Sequence, residues 1–181
     1  MRQFCDDASE LHDLNISLFA TPAEGLSGKF TKQDQETFGM IQGVTDREYY
    51  TNSFHIPVYY PMAAYRKIRS EAPFHELCNA GAISYVELDG NARQNTAAFR
   101  GIVQFVLLQN IGYFSVNHPI DRCPACRYEG MIGSVCPGCG ALEADGHFQR
   151  LRRVTGYLTG NYTERFNSAK QAEVEDRVKH L

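Results

Sequence analysis

Four cysteines, Cys123, Cys126, Cys136 and Cys139, fall within seventeen positions in the spacing Cys-x2-Cys, nine residues, Cys-x2-Cys. Two tight knuckles of this kind can face each other and bring four sulfurs onto one ion. Thiolates suit zinc at about 2.3 Å in a closed tetrahedron, which leaves no position for water and so makes a structural site, not a catalytic one. Pro124 and the Pro137-Gly138 pair fit such knuckles, because proline limits φ and glycine tolerates the positive φ that these turns often need. An iron-sulfur centre or reversible disulfides would use the same residues. Zinc ribbons also serve as interaction modules, so a stand-alone zinc-ribbon module that binds partner proteins is a competing function. The segment between the knuckles, RYEGMIGSV, has one Arg and one Glu and offers no basic stripe for nucleic acid. Cys5 and Cys78 stand apart and read as ordinary partly buried thiols.

Other elements must position this cluster, because residues 117–146 are dominated by Cys, Gly and Pro and are too poor in large apolar side chains to fold around a core of their own. The whole chain has 181 residues, 43% of them hydrophobic, and a formal charge of -3. That length suits one sizeable core with a small metal-stapled appendage, and that charge gives no reason to expect phosphate-backbone binding. The first residues, MRQFCDDASELHDL, resemble neither a signal peptide nor a transit peptide. The longest apolar stretch, 102–108, is broken by Gln104 and falls short of the roughly 20 residues that cross a bilayer. A soluble, cytoplasmic protein with reduced thiols is expected, with neither membrane nor nucleic acid as partner.

The chain before the cluster reads as mixed helix and strand. Residues 13–20 alternate, with Leu14, Ile16 and Leu18 on one face, and predict a strand followed by a loop over TPAEGLSGKF. HIPVYY at 55–60 predicts a short strand, and MAAYRKIRSEA a helix that Pro73 stops or kinks. ISYVEL at 83–88 is dense in β-branched and aromatic residues and predicts a strand ended by an Asp89-Gly90 turn. A helix over about 93–109 follows, apolar nearly all round and so expected to pack on several sides as a main core element. A last helix should begin near Asn167 or Ser168, with Val174, Val178 and Leu181 along one face and Glu173-Arg177 and Glu175-Lys179 as i,i+4 pairs. Read alone, Gly156 and Gly160 before it are tight turns.

RVTGYL followed by ERFNSAKQAEVEDRVKH resembles the glycyl-radical signature at the C-terminus of anaerobic, class III ribonucleoside-triphosphate reductases. The short R-V-x-G-Y core is common to glycyl-radical enzymes, whereas the RFN-x-x-K-x-x-E-V-x-x-R-V-K-H extension points to the reductase branch. ATPAEGLSGKF, GVTDREYYTNSFHIPVYY, NAGAISYVELDG and NIGYFSVNHPIDRCPAC look like the same family, so the resemblance covers essentially the whole chain. Ala82 stands where many relatives have His in NAGHISY.

The resemblance implies a mixed α/β fold: residues 1–117 as the C-terminal part of a ten-stranded glycyl-radical-enzyme barrel, and residues 118–181 as a zinc-binding and glycyl radical domain. It implies that Gly156 carries the radical, made by a separate radical-S-adenosylmethionine activase. A glycine is chemically required there, because an electron on Cα delocalises into both flanking amides only if the centre is planar, and a Cβ crowds that planarity. The radical then generates a thiyl radical on a cysteine that attacks the ribose of a ribonucleoside triphosphate. That cysteine lies upstream in the family, and neither Cys5 nor Cys78 reproduces its context. Family members are several times longer, so the chain is expected to be a split subunit, a fragment or an autonomous spare glycyl radical subunit. Its partners would be the N-terminal part of the reductase, the activase and a homo- or hetero-oligomer, with an apolar face around 83–88 and 93–109 left open for one of them.

Overall fold

The computed structural model describes residues 1–20, 28–51, 53–88, 94–146, 148–154, 157–160 and 162–180. In chain order the elements are α1 (Arg2–His12), α2 (Lys29–Phe38), α3 (Ala64–His75), β1 (Ser84–Glu87), α4 (Thr96–Leu108), β2 (Phe114–Asn117), β3 (Ile120–Arg122), β4 (Glu129–Gly130), β5 (Gln149–Val154), β6 (Tyr157–Thr159), α5 (Tyr162–Arg165) and α6 (Ser168–Glu175). The fold is mixed α/β. Two compact units interleave along the chain: Met1–Pro22, Thr51–Val116 and Val178–Leu181 form one, and Ala23–Tyr50 and Asn117–Arg177 the other.

In the first unit β1 pairs with β2, and α3 and α4 supply an apolar core of Ala64, Ile68, Ala72, Val86, Ile102, Val106 and Ile111. Strand β1 forms as its β-branched and aromatic composition predicts, but all four of its residues are buried, so the apolar face expected to stay open around 83–88 is covered there. Helix α4 forms as expected, with the Asn95 side chain accepting the Ala98 N–H at 3.1 Å as an N-cap. It is not packed on several sides, however: Ile102 and Val106 are buried, while Leu107 and Leu108 are 71% and 81% exposed.

A polar network is buried beside that core. The Glu71 carboxylate takes the Lys67 ammonium and, at 2.9 Å each, the Ile56 N–H and the Ser84 hydroxyl. Lys67 and Glu71 are 2% and 1% exposed. Since Ser84 gives its proton to Glu71, His75 Nε2, 2.9 Å away, must donate to the Ser84 oxygen. His55 lies between Phe54 and Tyr85 and donates Nε2–H to the Ile83 carbonyl at 2.6 Å.

Two expected strands are absent among the described residues, for one reason. Over 13–20, Asp13 closes α1 in the left-handed region, and side chains take the backbone donors: Ser9 Oγ that of Ile16, and Asn79 Oδ1 that of Leu18. A single parallel bridge, Phe19 to Gly81, is what remains of a strand. Over 55–60, Pro57 has no N–H, Ile56 donates to Glu71 and Val58 to Thr51 Oγ1, so a turn forms in place of a ladder. Helix α1, which the sequence does not announce, fills the N-terminus. Pro73 sits inside the last turn of α3, which runs on to His75. Residues 21–27 of the expected loop and the Asp89-Gly90 turn lie outside the described residues.

In the second unit a four-stranded sheet of order β4-β3-β5-β6 stands with α2, α5 and α6. Helix α6 starts at the expected cap, Asn167, whose side chain accepts from Lys170 N, but it ends at Glu175. The Glu173-Arg177 pair forms, at 3.2 Å, whereas Lys179 lies beyond the helix, so the Glu175-Lys179 pairing has no helical register. Its buried residues are Ala169, Lys170 and Glu173 instead of a Val174 stripe; Leu181 lies outside the described residues.

Two outcomes follow for the first unit. Glu71→Ala strands the Lys67 charge and two further donors, the Ile56 N–H and the Ser84 hydroxyl, in a buried place, and should cost about 3–5 kcal/mol, read as a fall in Tm. Burial holds the His55 imidazole well below its ordinary value, down to about 4. The unfolded ring is protonated near pH 6.5 and the folded ring resists it, so the stabilisation is full above that pH and is lost as pH falls toward 4. Thermal melts should show the stability difference between wild type and His55→Gln shrinking over that window by about 3 kcal/mol.

Candidate metal centre

Strand β3 delivers the chain into the first knuckle, Cys123-Pro124-Ala125-Cys126, and the second is Cys136-Pro137-Gly138-Cys139. Their backbones are built alike. Arg127 N–H donates to the Cys123 carbonyl at 2.9 Å, and Gly140 N–H to the Cys136 carbonyl at 2.9 Å. Cys123 N–H donates to Tyr128 O at 3.0 Å, and Cys136 N–H to Ala141 O at 2.8 Å. Each knuckle therefore closes with a left-handed residue, Arg127 at φ 62° and Gly140 at φ 75°. The positive φ expected at Gly138 falls at Gly140. Gly138 sits in a tight place: a Cβ there would meet Tyr128 Cβ at 3.1 Å and Cys126 Sγ at 3.2 Å, so its neighbours would have to give by a few tenths of an ångström.

This doubled turn brings all four sulfurs within 4.8 Å of one another. Cys123 and Cys139 Sγ are 3.8 Å apart, and Cys126 and Cys136 Sγ 3.6 Å. A tetrahedron with metal-sulfur bonds of about 2.3 Å has edges of about 3.8 Å, so the cluster could hold one metal ion and fits zinc. Cys123 and Cys136, the first of each pair, are buried with Ile132 and Phe148 in a small apolar core, while Cys126 and Cys139 are exposed. Backbone N–H groups, that of Cys126 foremost, draw the Cys123 thiol down to about 7. Cys126 goes the other way, to about 12: a hydrogen bond from the Tyr128 backbone opposes the rise, but loss of water and the neighbouring sulfurs outweigh it. A divalent cation bound among the four sulfurs would favour the thiolate form of each.

Cysteine spacing does not reveal the group that ties the knuckles to the sheet. Asp121 and Arg150 are cross-strand partners in the β3–β5 ladder. Arg150 uses all five of its N–H donors. Nε and Nη2 hold the two Glu143 oxygens at 2.8 Å each, Nη1 reaches Asp121 Oδ2 at 3.1 Å and the Ile132 carbonyl at 2.8 Å, and Nη2 reaches the Gly133 carbonyl at 2.9 Å. The paired carboxylates, Glu143 first, raise the Arg150 pKa further. Asp121, 2% exposed, also accepts the Ile132 N–H at 3.0 Å and Arg152 Nη1 at 2.6 Å.

Thr155 and Gly156 lie outside the described residues. On either side of them β5 and β6 pair antiparallel, with Val154 opposite Tyr157 and Arg152 opposite Thr159. Arg177, itself held by Glu173, donates to the Arg153 carbonyl on the same strand. Cys5 is buried and Cys78 half-buried, both remote in sequence from the cluster and outside it.

The described residues define a mixed α/β protein with a four-cysteine cluster that could hold a metal ion beside a short antiparallel sheet. The family model for anaerobic ribonucleoside-triphosphate reductase matches residues 1–180, and the chain belongs to that family. It is 39% identical to the anaerobic ribonucleoside-triphosphate reductase of Escherichia coli K12, over 100% of this chain and 26% of the relative. The reductase of the same name from enterobacteria phage T4 is also 39% identical, over 91% of this chain and 28% of its own length. The chain thus spans about a quarter of the length of the curated relatives it matches. Among solved structures, an anaerobic ribonucleotide reductase covers 98% of this chain and 27% of its own at a TM-score of 0.75 and 21% identity. The anaerobic ribonucleotide reductase of Thermotoga maritima covers 87% of this chain and 25% of its own at a TM-score of 0.66 and 21% identity. These likenesses carry the fold.

Metal analysis of the purified chain should give one zinc per chain, released by a chelator as four thiols become reactive. Cys136→Ser should bind at least roughly tenfold more weakly; unchanged stoichiometry and affinity would refute the four-sulfur assignment.

Proposed function

We propose that the chain is the glycyl-radical-bearing part of an anaerobic ribonucleoside-triphosphate reductase, with Gly156 as the radical residue and a zinc ion on Cys123, Cys126, Cys136 and Cys139. Residues 1–117 are then the C-terminal part of a ten-stranded barrel and residues 118–181 the zinc and radical domain. Ribonucleoside triphosphates and the thiyl-forming cysteine belong to the N-terminal part of the reductase, which is the chain's partner in the cytoplasm. The observation that carries this reading is that Gly156, inside the RVTGYL motif, falls between two strands of the same unit as the four cysteines. The exposed Leu107 and Leu108 at the end of α4 support a partner surface, since apolar side chains of that size are usually covered.

Activation breaks the Gly156 Cα–H bond homolytically. The hydrogen atom passes to a radical that the activase makes from S-adenosylmethionine, and the unpaired electron stays on Cα, spread over the peptide groups before and after it. Cys123, Cys126, Cys136 and Cys139 would hold a zinc ion that cross-links the two knuckles, a structural service outside the redox step. What the chain itself must do is present Gly156 to the activase and afterwards hold it in one geometry, which is work for β5, β6 and the side chains that clamp them.

Incubation of the chain and its N-terminal partner with a cognate activase, S-adenosylmethionine and reductant should give a glycyl EPR doublet. Air should then cleave the backbone at Gly156. Gly156→Ala should lose both signals, and a doublet that survives this substitution would reject Gly156 as the radical carbon.

A further inference from the structure

The β3–β5 and β5–β6 ladders are each three residue pairs long. Ladders so short hold a strand weakly by themselves. Strand β5 has the sequence QRLRRV, so it buries little apolar surface, and Leu151 is 37% exposed. Its order depends on its arginines. The Arg150 guanidinium joins three separate stretches of chain: Asp121, two residues before Cys123; the Ile132 and Gly133 carbonyls, midway between the knuckles; and Glu143, four residues after Cys139. These stretches are mutually fixed when the four cysteines share an ion. Without that cross-link they are a Cys, Gly and Pro-rich coil, and five hydrogen bonds to three independent segments cannot persist together.

We propose that Arg150, supported by Asp121, is the positioning residue that transmits metal occupancy from the knuckles to β5 and so to Gly156. Its bearing on catalysis rests on the reading of Gly156 given above; the coupling itself does not. Arginine is required by shape. A planar fork with five donors matches the two Glu143 oxygens, the Asp121 carboxylate and two carbonyls at once, whereas lysine offers three donors from a single point.

The test is hydrogen exchange on the full chain, with and without chelator, in wild type and in Arg150→Gln and Arg150→Lys, each checked for zinc content. In wild type, chelation should raise exchange over 149–154 at least about tenfold, within the 5–150-fold range of ordinary coupling. With zinc retained, Arg150→Gln should show that faster exchange already, with the knuckles 123–139 protected as in wild type and little further change on chelation. Arg150→Lys, the milder change, should lie between, at about threefold, and serves if the glutamine variant fails to fold or to keep its metal. Wild-type exchange over 149–154 in the zinc-loaded variants overturns the proposal. In the activated assembly the same variants should lose glycyl EPR amplitude in the same order. Wild type that exchanges as expected but gives no doublet overturns the radical reading alone, and variants with a full doublet overturn the positioning role.

Discussion

A stretch of about thirty residues dominated by Cys, Gly and Pro has almost no apolar surface to exchange for the entropy of ordering it, at roughly 1–2 kcal/mol per residue. Convergence of four sulfurs meets that demand in this chain. Two knuckles with the same hydrogen-bond plan set sulfurs 3.6 and 3.8 Å apart, close to the edge of a tetrathiolate tetrahedron. The local geometry follows from it: left-handed closure at Arg127 and Gly140, tight quarters at Gly138, and burial of the first cysteine of each pair against Ile132 and Phe148. Strand β5 leans on the same body, which it meets through Arg150 and Asp121.

The first unit solves a different problem by different means. Among the described residues its apolar core has seven buried members, and irregular chain over 53–60 has to be held against it. A buried carboxylate does this. Glu71 satisfies a helix lysine, a loop N–H and a strand hydroxyl, so that α3, the 55–58 segment and β1 share one charged hub. Such a hub is weak as a source of net stability, since both charges are stripped of water, but it is strict about geometry. A slipped register would leave a charge unpaired in the interior.

The sequence makes the cysteine centre, β1, α4, the helical part of α3 and the start of α6 legible, because each depends on local signals: spacing, β-branched density, apolar runs, an Asn cap. What it conceals is decided by non-local hydrogen bonding. The alternation at 14, 16 and 18 and the β-rich HIPVYY both promise strands, yet in each place side chains far along the chain, Asn79 and Glu71, take the backbone donors a ladder would need. Helix α6 ends early at Asp176, whose carboxylate binds Arg47 and the Tyr49 hydroxyl at 2.8 and 2.9 Å, partners more than a hundred residues away. The arginine clamp was hidden for the same reason. Arg150 and Asp121 are twenty-nine positions apart and carry no motif, although an arginine-rich stretch soon after the cysteine knuckles could have been a signal.

Strand β5 is thereby held from two directions by guanidinium groups. Arg150 reaches back into the knuckles, and Arg177, itself paired with Glu173, grips the Arg153 carbonyl three positions before Gly156. Holding a strand by polar clamps differs physically from burying it. Loss of an apolar interface exposes surface at about 25 cal/mol per Å², a cost water does not return, whereas charged and carbonyl groups released into water are hydrated again. A segment fixed in this way can be well ordered when docked and still leave as a unit at modest cost, provided the body it docks on stays rigid. Gly156, on the proposed reading, must meet both an activating enzyme and a buried cysteine, and that needs this combination. On the proposed reading this gives the metal centre its purpose: the knuckles supply rigidity without apolar adhesion, and the arginines make the attachment specific and reversible.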